Sequence, residues 1–167
     1  MERDFQVEFA RSVPHLSARV GIPVEYTKIP DAPRGPEMRF SARRGYDCFL
    51  VYAGRHIAVE LKQVHAASWP FARLDGYQEN KLLSAAEAGA RAWVVINFRR
   101  QIERKGKPSQ SVNRTFGVQI MELLRIRAET GSASISLLSL ELRTDGVFVV
   151  ELQRNTGCWW DLFPLVR

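Results

Sequence analysis

The chain has little cysteine: only Cys48 and Cys158 among 167 residues, with no CxxC pair. That excludes a disulfide-stapled scaffold and a cysteine-built zinc site. Both thiols are expected to be reduced and buried. No apolar run approaches the roughly 20 residues that a membrane span needs. The first residues are charged (Glu2, Arg3, Asp4) and do not read as a signal peptide. A cytoplasmic protein that makes no membrane contact is therefore expected. Internal repeats and low-complexity stretches are also missing, so solenoids and disordered tails are not indicated. Acidic residues are outnumbered, 18 against 24 Lys and Arg, giving a formal charge of +6. A basic surface favours polyanions, nucleic acid above all.

What is present suits one folded domain, residues 1–167. The hydrophobic fraction is 46% and the charged fraction 25%, enough for a core without metal or disulfides. Phe5, Phe9 and Val13 form one stripe of a helix over 2–12, which Pro14 is expected to end or bend. Residues 22–28 read as a strand. Residues 29–44 hold Pro30, Pro33 and Pro36 together with Arg34, Arg39, Arg43 and Arg44, and read as an exposed basic excursion. Two strands, 46–52 and 55–63, flank a turn at Ala53-Gly54. A polar loop at 65–76 carries aromatic residues, and a helix follows at 77–88. The apolar run 92–98 reads as a strand covered on both faces. A basic loop is predicted over 99–113, then strands at 115–120 and 146–152. The order describes a mixed α/β sheet.

The hairpin carries the chemistry. A two-residue loop at Ala53-Gly54 pairs Tyr52 with Arg55 and sets Asp47 opposite Glu60. Alternation then puts Lys62 on the same face. Two adjacent carboxylates repel unless a cation intervenes. Oxygen-only ligation suits magnesium, which polarises a phosphodiester and helps ionise water. A lysine beside it can hold that water or offset charge on the phosphorane. The same spacing also fits a solvated cross-strand salt bridge. Asp75-Gly-Tyr-Gln78 fits a helix capping box, which gives Gln78 a structural role. The aromatic loop 68–71 places Trp69 either on an exposed base or against its own core. Arg73 and Lys81 follow, then Arg99, Arg100, Arg104, Lys105, Lys107 and Arg114; all are candidate phosphate contacts.

The residues Tyr46, Asp47, the Tyr52-Ala-Gly-Arg55 turn, Glu60-Leu61-Lys62, Ser68-Trp-Pro-Phe71 and Gln78 together resemble the RecU-type Holliday junction resolvases of bacteria and phages. These belong to the PD-(D/E)XK nuclease superfamily. The resemblance runs over roughly residues 22–98. It implies a restriction-endonuclease-like mixed sheet flanked by helices, with 29–44 as a short stalk-like excursion. It also implies magnesium, with manganese as a substitute, and cleavage of four-way DNA junctions by a homodimer. Asp47 and Glu60 would be metal ligands with the Leu61 carbonyl, and Lys62 the catalytic lysine. Gln78 would be the glutamine of the following helix. Glu2 would be the acid of the first helix, with Glu8 as the alternative. Two features depart from the family: there is no basic arm ahead of the first acid, and the stalk segment is shorter. Another nuclease of the superfamily, acting on duplex, flap or damaged DNA, and a non-catalytic junction-binding module are the alternatives.

Overall fold

A computed structural model of the chain describes residues 2–30, 45–104, 107–144, 147–155, 157 and 159–167. The side chains of 2, 3, 103, 104, 107 and 108 lie outside that description. The elements run α1 (Glu2–Val20), β1 (Glu25–Lys28), β2 (Cys48–Tyr52), β3 (Arg55–Val64), β4 (Ser68–Pro70) and a short 3-10 turn (Phe71–Arg73). Then come α2 (Gly76–Glu87), β5 (Arg91–Arg104), β6 (Lys107–Gln119), α3 (Ile120–Thr130), β7 (Ser134–Ser136), α4 (Leu137–Glu141), β8 (Val149–Leu152) and α5 (Phe163–Val166). Six strands form one sheet in the order β1-β2-β3-β5-β6-β8, and β4 and β7 form a separate pair. Among the described residues only β3 and β5 of this sheet run parallel; its other pairs are antiparallel. The predicted α/β class and the mixed sheet flanked by helices are what the chain adopts.

Alternation along β3 and β5 divides the core. Ile57, Val59, Leu61, Trp93 and Val95 face α1 and the C-terminal segment, with Phe5, Phe9, Trp160 and Leu165. Ala58, Val64, Val94, Ile96 and Phe98 face α2 and α3. Both faces are covered, which is why 92–98 is apolar throughout. The last residues close the α1 face: Trp160, Leu162, Leu165 and Val166 are all buried.

Several boundaries differ from the sequence-based expectation. Helix α1 runs through Pro14 to Val20. An interior proline costs about 3 kcal/mol, but buried Val13 and Leu16 flank it and Leu16 carries the stripe beyond it. Burying each contributes about 1.5–3 kcal/mol, enough to offset that cost. The predicted loop at 99–113 is instead a long hairpin, with β5 and β6 paired from Trp93↔Gln119 out to Arg104↔Lys107. The loop at 65–76 is pinned by β4 on β7, with Ser68 opposite Ser136. Strands β1 and β2 start later than predicted, at Glu25 and Cys48. The excursion 29–44, apart from Ile29 and Pro30, lies outside the described residues.

The hairpin register is the predicted one. Ala53 and Gly54 both take left-handed conformations, φ 49° and 73°. Two such residues make the mirror-image turn that matches strand twist. Tyr52 accordingly pairs with Arg55 and Cys48 with Val59.

Candidate active site

Asp47 sits one residue before β2, where β2 stops covering the edge of β3. Its N–H donates to the Val59 carbonyl at 3.1 Å, and its own carbonyl accepts from Ile29 N–H at 2.9 Å. The backbone is thus fixed on both sides. The Asp47 carboxylate then takes over as the pairing partner of β3: Leu61 N–H donates to Oδ2 at 2.8 Å. Oδ1 accepts from the Gln6 amide of α1 at 3.3 Å. A strand residue turns its N–H and C=O to the same edge, so the Leu61 carbonyl opens beside Asp47.

Glu60 and Lys62 flank Leu61 and point to the α2 face. Their exposures are 2% and 7%, and that of Asp47 is 5%. These are not the charges of a solvated hairpin face. Lys62 Nζ lies 2.7 Å from Glu60 Oε1. Gln78 closes a triangle over both: its Nε2 donates to Glu60 Oε1 at 2.6 Å, and its Oε1 accepts from Lys62 Nζ at 3.0 Å. The capping box is also formed. Gln78 N–H donates to Asp75 Oδ1 at 2.8 Å, and Asp75 N–H to Gln78 Oε1 at 3.4 Å. The structural and functional roles of Gln78 therefore coincide, because the cap holds the start of α2 directly over the site.

Asp47 and Glu60 bring negative charge close to Cys48, and Asp47 to Tyr26, against the opposing charge of Lys28 on Cys48. Burial first, then Asp47 and Glu60, pushes the Cys48 thiol well above the usual range. Tyr26 on β1 is pushed up to about 12 by burial, then by Cys48 and Asp47. A cation would relieve this field. Among the described residues, no group of three or more His, Cys, Asp or Glu could hold a metal. The donors on hand are two carboxylates and one backbone carbonyl, all oxygen. That set fits magnesium, which keeps several waters and needs few protein ligands.

The other predicted residues divide clearly. Glu2 lies in α1 one turn before Gln6, with its side chain outside the described residues. Glu8 is committed elsewhere, to Arg99 at 2.7 Å and to Trp160 Nε1 at 3.3 Å. Trp69 is a correction: it is fully buried, edge-on to Phe71 at 5.9 Å, because β4 pairing on β7 turns it into the core. Its ring cannot lie on a base. Arg73 reaches back to the Gln63 carbonyl at 2.7 Å and so braces the end of β3. Lys81 extends over the Tyr77 ring at 5.6 Å and packs on Gly45, where an added Cβ would meet its stem at 2.5 Å. Arg99 and Arg114 are tied within the molecule: Arg114 forks onto Glu151 at 2.7 and 2.8 Å and also pairs with Glu141. Arg100 is half-buried. Arg34, Arg39, Arg43, Arg44 and Lys105, and the side chains of Arg104 and Lys107, lie outside the described residues.

Sequence reasoning missed Gln6. Its signal was present, since it lies one helical turn after Glu2 and next to buried Phe5. It also missed the Gln63–His65 contact, 3.1 Å between their Nε2 atoms at the end of β3.

No protein-family model matches this chain. No curated protein matches it either. Among solved structures, it is similar in fold to Hjc of Archaeoglobus fulgidus, a Holliday junction resolvase from an archaeal hyperthermophile. The TM-score is 0.39 and the identity 15%, over 69% of this chain and 77% of that one. A likeness at this level carries nothing about activity to the present chain. No helix among the described residues is long and apolar enough to cross a membrane.

Proposed function

We propose that this chain is a magnesium-dependent endodeoxyribonuclease that resolves four-way DNA junctions, on a restriction-endonuclease-like fold. The observation that carries the proposal is the buried cluster of Asp47, Glu60, Lys62 and Gln78. Burying an ammonium and two carboxylates is costly, and a well-packed apolar set would serve stability as well or better. Such a cluster, where β3 runs on past the end of its pairing with β2, supports a chemical role.

Magnesium, or manganese in its place, would be held by Asp47, Glu60 and the Leu61 carbonyl, supplying Lewis acidity and a more acidic bound water. The protein does the rest. Leu61 N–H and Gln6 hold the Asp47 carboxylate in one orientation. Gln78 sets the Lys62 ammonium beside Glu60. From there Lys62 can hold the attacking water and offset charge that builds on the phosphorane oxygens. Products with 5′-phosphate and 3′-hydroxyl ends are expected.

The DNA surface would combine Arg34, Arg39, Arg43 and Arg44 of the excursion with Arg73, Lys81, Arg100, Arg104, Lys105 and Lys107. Two copies related by a twofold axis would place two sites for paired nicks. Leu138, Leu142, Val147 and Phe148, 62%, 73%, 64% and 51% exposed, would supply apolar surface for contact between the copies.

The experiment compares matched four-way, flap and linear duplex substrates with magnesium. Symmetric nicking of the four-way junction, well ahead of the others, is expected. Preference for duplex or flap moves the chain to another nuclease activity. Binding without nicking leaves a junction-binding module.

A further inference from the structure

Helix α2 brings more than Gln78 to the site. At 3.6 residues per turn, Lys81 lies on the helix surface between Gln78 and Tyr77, so the three form one strip. Gln78 reaches Glu60 and Lys62 at 2.6 and 3.0 Å. The stem of Lys81 packs on Gly45, where an added Cβ would meet it at 2.5 Å. Gly45 stands two residues before Asp47, so the strip faces the segment that carries the Asp47 carboxylate. Tyr77 forms its outer end and is 37% exposed. Anchoring the helix does not account for that ring, because fully buried Leu82 does so from about 140° round the helix. Among the described residues the other exposed aromatic is Phe148, just ahead of β8, with β5 and β6 between that strand and β3. The Lys81 ammonium lies over the Tyr77 ring, 5.6 Å from its centre, and pairs with no carboxylate among the described residues.

We propose that Tyr77 is a platform for one unstacked base beside the scissile phosphate, and that Lys81 holds the phosphate next to that base. This role of Tyr77 rests on the nuclease proposal above. A cation over an exposed ring is weakly held. A phosphate oxygen offers the same ammonium a charge-assisted hydrogen bond, which is stronger. When Lys81 leaves the ring for a phosphate, it uncovers the ring face it lay over, and a base can stack there. In a linear duplex both faces of a base are covered by its neighbours, and taking it out costs the unstacking energy. That cost is least for a base already splayed at a branch point. The ring therefore favours branched over linear DNA. Lys81 meets phosphate alone and favours both alike. Tyr77 does for this site what the fully buried Trp69 cannot.

The test uses the full chain carrying Lys62→Ala, so that DNA stays intact, with magnesium. Four-way junctions each carry one abasic nucleotide, moved through the positions around the branch point and the site that wild type cleaves. One position should weaken binding about tenfold, the worth of a stacked base. Tyr77→Ala in the same background should weaken binding of the intact junction by a similar factor and be indifferent to that abasic position. Its affinity for linear duplex should stay unchanged, which also excludes misfolding. Tyr77→Phe keeps the ring and should behave as its parent. Lys81→Gln should weaken junction and duplex alike and flatten the slope of log affinity against log salt by about 0.9. Losses from Tyr77→Ala and from the abasic position that simply multiply, or a Tyr77→Ala loss as large on duplex as on junction, overturn the role of Tyr77. A wild-type chain that cleaves junctions without this coupling defeats the stacking platform alone; one that neither binds nor cleaves defeats the nuclease proposal with it.

Discussion

Lys62→Met exposes how the site is balanced. In the wild type the ammonium lies 2.7 Å from Glu60 Oε1, and both residues are almost fully buried. Removing only the lysine takes away the ammonium that lies 2.7 Å from the buried Glu60 carboxylate. Breaking one side of such a pair costs about 3–5 kcal/mol. Methionine keeps most of the volume, so packing loss adds little. Replacing both members is different: Glu60→Gln/Lys62→Met removes both charges and leaves Gln78 a neutral amide partner. That double variant should lie within about 1 kcal/mol of wild type. Glu60→Gln alone leaves the ammonium buried and should also be destabilised. The coupling energy from the full cycle is therefore at least about 2 kcal/mol. Urea unfolding in chelator measures all four proteins without a competing metal. Losses below about 1 kcal/mol in both single variants, or costs that simply add, would refute the buried-pair reasoning.

Other expectations follow from the same geometry. Gln78→Ala should cost about 1 kcal/mol through loss of the capping box, and should lower cleavage about a hundredfold by releasing Lys62; single-turnover rates and melting curves separate the two. Trp69→Ala should destabilise by about 3–5 kcal/mol as a core cavity, while folded protein retains its junction affinity; loss of binding by a folded variant would restore the stacking role. Gly117→Ala should cost about 1–3 kcal/mol by overpacking, because its Cβ would lie 2.7 Å from Leu165 Cδ2. Tyr26 has its pKa raised from 10.0 to about 12, first by burial. A raised folded value stabilises fully below the unfolded one, and this is lost as pH rises from 10 to 12. Tyr26→Phe should therefore lose less stability across that window in pH-dependent unfolding.

The site's residues were legible because a hairpin obeys arithmetic. One turn signal at Ala53-Gly54 fixes the pairing, and period two fixes the faces. Burial was not legible, since Asp-turn-Glu-x-Lys reads the same on a solvated surface. The field around Asp47 depends on α1 and β1, which are distant in sequence. Local patterns failed where tertiary contacts decided. Pro14 signals a helix end, yet the buried stripe runs past it. Residues 99–113 carry charge and a proline like a loop, yet they continue two core strands outward. Trp69 looks like a binding aromatic until β7, some 65 residues later, pairs with β4. The C-terminal segment has weak periodicity because it fills gaps over α1 with Trp160, Leu162 and Leu165 rather than forming a long element.

The most direct measurement is cleavage of a labelled four-way junction by wild type and Lys62→Ala, with binding followed in parallel. Magnesium-dependent nicking is expected of wild type, and none of Lys62→Ala despite junction affinity within a few-fold of wild type. Full cleavage by Lys62→Ala, or cleavage by wild type in chelator, would contradict the proposed mechanism.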